Sequence, residues 1–191
     1  MTQYYTKAAI VIILAMFSTA CSHVSPKYNM SAINVEELRQ VAKGGGTKIS
    51  AGQFTTAEVG KKSIVCRAAG PIVAPDDKTF DQFIKDAILD EMKLANIYDE
   101  KSPIKLNAKL DEIDFNSNIG SGKWLMKMTF SSDGVDPFTV ENSYPFSTNF
   151  IADIACEQVA QALPVATQSF IKKLYEHPSF KKLFGQRNAA N

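Results

Sequence analysis

Three consecutive segments between Ile104 and Phe146 alternate apolar and polar residues, and this pattern limits the fold of the chain more than any other feature. A period of two places every second side chain on the same face of a strand, so each segment is predicted to bury one face and expose the other. Chains of this kind form antiparallel sheets with one solvated side. The first segment buries Ile104, Leu106, Ala108 and Leu110.

The joints between these segments also carry structural signals. The alternation slips by one residue at Asp111-Glu112, and a β-bulge there would keep Ile113 and Phe115 in the pattern. The dipeptide Asp133-Gly134 is a strong hairpin turn signal between the segments "KWLMKMTF" and "PFTVENSYPF". The sequence therefore predicts three consecutive antiparallel strands. The last of them is expected to turn Phe138, Val140 and Tyr144 to one side.

Two amphipathic helices flank these strands. The segment "TFDQFIKDAILDEMKLANIYD" repeats apolar residues at helical period, and Thr79 and Gln82 have the spacing of a capping box. A second, longer helix is predicted over 149–175, with an apolar stripe from Ile151 that continues through a kink at Pro164. An earlier strand is predicted at "KKSIVCRAA". This order predicts an α+β two-layer sandwich, with a mostly antiparallel sheet of about four strands and two main helices on one face.

The N-terminus has the layout of a secretory signal: a polar start with Lys7, an apolar run over 8–17 and small residues at 18–20. The apolar run is too short to span a bilayer as a helix. The motif Ser18-Thr19-Ala20-Cys21 resembles the lipobox of bacterial lipoproteins. That resemblance implies cleavage before Cys21 and acylation (palmitate) of its side chain, and Ser22 implies sorting to the outer membrane with the domain in the periplasm. The alternative is an ordinary signal peptide that leaves a free thiol.

This interpretation divides the chain into a signal peptide at 1–20, a lipidated N-terminus with a flexible tether at 21–50, and one α+β domain at 51–191. The tether is expected from the polar composition, Pro26 and the triplet Gly44-Gly45-Gly46, although "NVEELRQVA" could form a short helix capped by Asn34. Export to an oxidising compartment predicts a disulfide between the two remaining cysteines, Cys66 and Cys156. The alternative is two buried free thiols.

The order of elements from residue 63 to residue 184 resembles that of the YajG family of small bacterial envelope lipoproteins. The resemblance lies in the helix that ends in "IYD", the strand "IKLNAKL", the strand before Gly134, the strand with Tyr144 and the late Ala-rich helix that ends in "HPSF". It implies an envelope lipoprotein and no particular reaction.

No catalytic signature emerges from the sequence. The two histidines, His23 and His177, are interpreted as structural or inert. The string "GSGK" at 120–123 fails the phosphate-loop pattern and is predicted to be a turn. Among the acids at 111–114, Glu112 and Asp114 are predicted to share the solvent face of a strand. We expect no cofactor and no metal site.

Two functional hypotheses remain at this stage. After cleavage the chain is formally neutral, which gives no electrostatic drive toward nucleic acid. The first hypothesis is a non-catalytic domain that binds a partner protein of the envelope, in an unknown oligomeric state. The second is a small-molecule or lipid-binding accessory subunit of an envelope transport system. An apolar groove for the second would be lined by Trp124, Met126, Met128 and Phe130, which are otherwise core residues.

Overall fold

The computed structural model describes residues 22–43 and 46–185, and these residues form an α+β fold. Two sheets and the helices share one hydrophobic core. The elements in chain order are β1 (His23–Val24), α1 (Ala32–Val41), β2 (Ser50–Thr56), β3 (Ser63–Val65), β4 (Pro71–Val73), α2 (Phe80–Leu94), β5 (Lys105–Asn116), β6 (Gly122–Ser132), β7 (Val135–Phe146), α3 (Ala152–Glu176) and α4 (Pro178–Gly185).

The larger sheet has the strand order β2-β5-β6-β7. The pairs β5-β6 and β6-β7 are antiparallel, as the alternating pattern predicted. The register shifts between Leu110 and Glu112, so the expected β-bulge is confirmed. On either side of it, Leu110 and Ile113 are both buried, because the extra residue returns the apolar side chains to the same face.

The fourth strand of this sheet is not the one that the sequence predicted. Within "KKSIVCRAA" only Ser63–Val65 is a strand, and it belongs to a separate small sheet of order β1-β4-β3. The place beside β5 is taken by β2, Ser50–Thr56, which pairs with β5 in parallel. A parallel pair needs a long crossover connection, and α2 lies within that connection. The sequence of β2, "SAGQFTT", lacks a clear alternation that would have revealed it.

The two main helices confirm the predicted layer. The Thr79 side chain accepts a hydrogen bond from Gln82 N, and the Gln82 side chain accepts one from Thr79 N, which completes the capping box of α2. Helix α3 continues through Pro164 and packs against β6 and β7, while α2 packs against β2 and α3. The buried indole of Trp124 joins the two layers by donating to the carbonyl oxygen of Val159 at 2.9 Å.

The segment that was expected to be a flexible tether is part of the fold. His23 and Val24 pair with Ile72 and Val73 of β4, and α1 packs against α2 and α3. Leu38 of α1 is fully buried. This expectation was therefore wrong for 22–43, because polar composition concealed an amphipathic helix that is too short to be stable without tertiary packing. Its N-cap is Ser31 and not Asn34.

Candidate interaction surface

Cys66 and Cys156 lie at disulfide-bond distance, as the sequence predicted, with their Cα atoms 5.8 Å apart. Cys66 follows β3 of the small sheet, and Cys156 lies in the second turn of α3. Both side chains are fully buried. The pair therefore fixes the end of the small sheet to the beginning of α3 across 90 residues of sequence.

Arg67, the residue after Cys66, connects three separate parts of the chain. Its guanidinium donates to the carbonyl oxygen and the hydroxyl of Ser117, and also to the carbonyl oxygen of Phe150 at 3.1 Å. Its φ angle is +48°, a left-handed conformation that is uncommon for a residue other than glycine. Arg67 thereby holds the β5-β6 turn and the loop before α3 next to the disulfide.

A second set of contacts fastens the same two loops to each other. The Thr148 hydroxyl donates to the carbonyl oxygen of Asn118. At Gly122 a Cβ atom would lie 2.6 Å from Thr148 Cγ2 and 2.7 Å from the ring of Phe146, so a larger residue here would force these side chains to move. Gly122, the second glycine of "GSGK", thus begins β6 and serves packing, while Gly120 lies in the turn that was predicted for the string.

The two loops expose large apolar side chains at this end of the molecule. Ile119 in the β5-β6 turn is 74% exposed and Phe150 is 72% exposed, while Ile151 and Ile154 at the start of α3 are each more than two-fifths exposed. We call these four residues the Phe150 surface. Isolated exposed apolar residues are ordinary, whereas several on adjoining loops make this end of the molecule a candidate interaction surface. The predicted stripe of the long helix wrongly included Ile151, which is the N-cap.

The sequence-predicted apolar groove does not exist. Trp124, Met126, Met128 and Phe130 all lie on the helix-covered face of β6 and are at most 2% exposed. The rings of Phe80 and Phe115 contact the indole of Trp124, and Phe138 and Phe170 stack on Phe130. These four side chains are core, because the two helices fill the space that a ligand would need.

The remaining residues considered in the sequence are placed as follows. His23 is buried. Its Nε2 atom lies 3.1 Å from the carbonyl oxygen of Ala69, and the carboxylates of Asp153 and Glu157 lie 3.6 Å from its ring nitrogens.

His177 caps the C-terminus of α3 and stacks on Phe138, where burial lowers the pKa of its imidazole. Glu112 and Asp114 are exposed on the solvent face. Cys21 and the signal segment lie outside the described residues.

A buried carboxylate in α2 was missed by the sequence reasoning. Glu91 Oε1 accepts hydrogen bonds from the Tyr28 hydroxyl at 2.5 Å, from Ser31 N at 2.9 Å and from the Asn34 amide at 3.3 Å. Burial raises the pKa of the Glu91 carboxyl, and these hydrogen bonds only partly offset the effect. Burial and the Glu91 charge also raise the pKa of the Tyr175 hydroxyl.

This cluster explains why the N-terminal segment is ordered. All three donors to Glu91 belong to 28–34, and Asn34 also donates to the carbonyl oxygen of Gln168 in α3. Glu91 Oε2 and the Tyr175 hydroxyl have no partner at hydrogen-bond geometry, yet the hydroxyl lies close enough to Glu91 to lower the pKa of the carboxyl. A carboxyl one helical turn after Ile88, inside the apolar stripe of α2, was the signal in the sequence that could have revealed this cluster.

Two further observations complete the description. Among residues 22–43 and 46–185, no three His, Cys, Asp or Glu side chains are grouped so that they could hold a metal ion. In the same ranges, no helix has both the length and the apolar character needed to cross a membrane.

Comparison with known proteins yields no match to a family model and no match to a curated protein sequence. The lipobox and the resemblance to the YajG family therefore stay predictions from the sequence.

Proposed function

We propose that this protein is a lipoprotein, anchored through acylated Cys21 in the outer membrane, whose periplasmic domain binds a partner protein of the cell envelope through the Phe150 surface. The observation that carries the binding proposal is the exposure of Phe150 and Ile119 on loops that Arg67 and the disulfide hold in place. In this proposal the domain binds its partner and is not catalytic.

Preorganisation supports binding at this position. A loop that is already ordered loses little conformational entropy when a partner covers it, so more of the apolar burial contributes to affinity. Aromatic residues at the centre of an interface are the ones that most often dominate its binding energy. Phe150 is the one aromatic residue of the Phe150 surface, whose other members, at 119, 151 and 154, are isoleucines.

The partner is sought with a photoreactive side chain in cells that produce the full chain. Phe150 is replaced by p-benzoylphenylalanine, and the same replacement at Ile33, an exposed residue of α1, is the matched control. We expect a discrete cross-link to one envelope protein from position 150 and none from position 33. Equal cross-linking from both positions, or none from 150, would contradict the proposal.

The identified partner is then tested with purified proteins. Phe150→Ala should weaken its binding by about tenfold or more, the range of a central aromatic contact. Val165→Ala changes an exposed residue farther along α3 and should leave the affinity unchanged. If both variants bind like the wild type, the cross-link reflects proximity and the Phe150 surface is not the binding site.

The anchor is tested separately by metabolic labelling. Labelled palmitate should enter the wild type and not the Cys21→Ala variant, and Ser22→Asp should move the labelled protein from the outer to the inner membrane fraction. Label in Cys21→Ala would refute the anchor at Cys21. Unchanged fractionation of Ser22→Asp would refute the sorting assignment alone.

A further inference from the structure

We infer that the outer face of the small sheet, carried by β1, β3 and β4, rests on the lipid bilayer that holds Cys21. The domain would then lie directly on the membrane surface and not stand away from it on a tether. This inference rests on the proposed acylation of Cys21. It adds to that proposal a second contact with the bilayer, made by the folded domain itself.

The register of the small sheet defines this face. Val24 pairs with Val73, Val73 with Ser63, and Val65 with Pro71. Residues that are paired across strands share a face, as do residues two apart in one strand, so these five side chains point the same way. The opposite face carries His23, Ile64 and Ile72, of which His23 and Ile72 are buried against the core.

The outer face, which we call the valine face, is apolar and uncovered. Val65 is 76% exposed and Val24 is 56% exposed, while Pro71 and Val73 between them are half-buried. Ser63 is the one polar side chain of the five. Val24 and Val65 are exposed on the same side of one small sheet, so this face presents an apolar surface that a partner could cover.

The chain leading to the anchor identifies that partner. Only Ser22 separates Cys21 from β1, and each residue of extended chain spans at most about 3.5 Å. β1 cannot swing away from the sheet, because both its residues pair with β4 and Ser25 N donates to the carbonyl oxygen of Val73 at 2.9 Å. An acyl chain on Cys21 therefore keeps Val24, three residues along the chain, within about 10 Å of the point of attachment.

A shallow groove beginning at Ser22 has the mixed chemistry of a membrane interface. Val24, Val73 and Ala74 supply its apolar part. Lys62 and Lys78 border it and are paired with Asp77 at 2.7 Å and Asp86 at 2.9 Å. Lysine stems can cover apolar surface while their ammonium groups stay at the headgroups. The paired charges are balanced, so apolar contact and not net charge is the source of attraction.

A weak contact is sufficient here because the anchor makes it intramolecular. Joining two binding elements by a short link raises the effective concentration of the second, so that a face with no measurable affinity of its own can remain bound. Interfacial protein segments bury their apolar side about 5–10 Å into the boundary between headgroups and acyl chains. Val65 and Val24 would lie at this depth.

The experiment uses the lipidated full chain in phosphatidylethanolamine and phosphatidylglycerol vesicles with acyl chains brominated near the headgroup, which quench nearby indoles. Val65→Trp places an indole on the proposed face. Asp136→Trp, in the exposed part of β7 at the other end of the larger sheet, is the control. Strand β6 runs from the end of the larger sheet near the small sheet to the end near Asp136, and its 11 residues span about 35 Å. Trp124 is buried and common to both variants.

We expect the introduced indole of Val65→Trp to lose about half of its emission in brominated vesicles and that of Asp136→Trp to lose almost none, given the burial depth of interfacial segments. Val24→Ser in the Val65→Trp background should reduce the loss. Equal emission from Val65→Trp in brominated and unbrominated vesicles, while the protein floats with them, would overturn membrane contact and leave the anchor intact. Protein that carries no palmitate and does not float would overturn both. Equal quenching of the two variants would also overturn the inference, because the domain would then contact the vesicle without a preferred face.

Discussion

Glu91 shows how much one residue can decide that a sequence pattern does not reveal. Its position in α2 belongs to the buried side, yet it is an acid that receives three hydrogen bonds from the N-terminal segment. Arg67 acts similarly next to the disulfide, where one guanidinium connects Ser117 and Phe150. Both residues are unremarkable in sequence, because their roles depend on donors and acceptors that lie 50 or more positions away.

The raised pKa of Glu91 predicts a pH-dependent stability. Between the unfolded and the raised folded pKa the folded protein binds more protons than the unfolded chain, so the free energy of unfolding falls as pH rises through this window. Below the unfolded pKa the carboxyl is protonated in both states and the cost is absent. Glu91→Gln keeps an acceptor for Tyr28 and removes the charge, so it should abolish this part of the pH dependence.

The measurement is a series of denaturant melts of the wild type and Glu91→Gln from about pH 4 to pH 8, a range that begins near the ordinary glutamate pKa. Glu112→Gln, a change of an exposed glutamate, is the control and should follow the wild-type curve. If Glu91→Gln shows the same fall in stability with rising pH as the wild type, burial of a charge at position 91 does not govern it.

At the scale of elements, the strongly periodic segments were predictable and the short ones were not. The segments that became β5, β6, β7, α2 and α3 carry enough repeats to show their buried side. By contrast, β1, β3 and β4 have two or three residues each, too few for a period to be seen. Helix α1 was recognised as a candidate, but its packing was not, because most of its sequence is polar.

The packing of α1 can be tested within the helix itself. Leu38→Ala removes a fully buried side chain and should lower the free energy of unfolding by about 2–5 kcal/mol. Ile33→Ala changes a residue of the same helix that is largely exposed, and about 0.5 kcal/mol or less is expected. The comparison uses urea unfolding of the full mature protein. Equal, small effects would mean that α1 is detached in solution, as a tether would be.

At the scale of the whole molecule, α3 contacts both sheets, and the cysteine pair adds a covalent link to this packing. The pair links the small sheet to α3, and α3 packs across the larger sheet. Both surfaces adjoin this link, since Val65 of the valine face precedes Cys66 and Ile154 of the Phe150 surface lies two residues before Cys156. A protein bound at the Phe150 surface would therefore be held close to the membrane, if both proposals are correct.

The Cys66–Cys156 pair should contribute measurably to global stability. Closing a loop of 90 residues restricts the unfolded chain, and native disulfides of this kind typically stabilise by about 2–5 kcal/mol. Replacing both cysteines by alanine should lower the midpoint of thermal unfolding, and intact mass should rise by two hydrogens when the wild type is reduced. No mass change would refute the bond. A mass change with an unaltered midpoint would show that the bond does not limit stability.

The sequence by itself determined the α+β class, the antiparallel strands with their bulge, the capping box of α2 and the cysteine pairing, because each depends on local periodicity or on the small number of possible pairs. Only the tertiary structure decided that β2 and not β3 completes the larger sheet, that 22–43 belongs to the fold, and that Glu91 and Arg67 organise it. These outcomes depend on contacts between residues far apart in the chain, whose free energies no local pattern records. For the same reason, the Phe150 surface and the valine face could be recognised only once the structure showed which side chains the core buries.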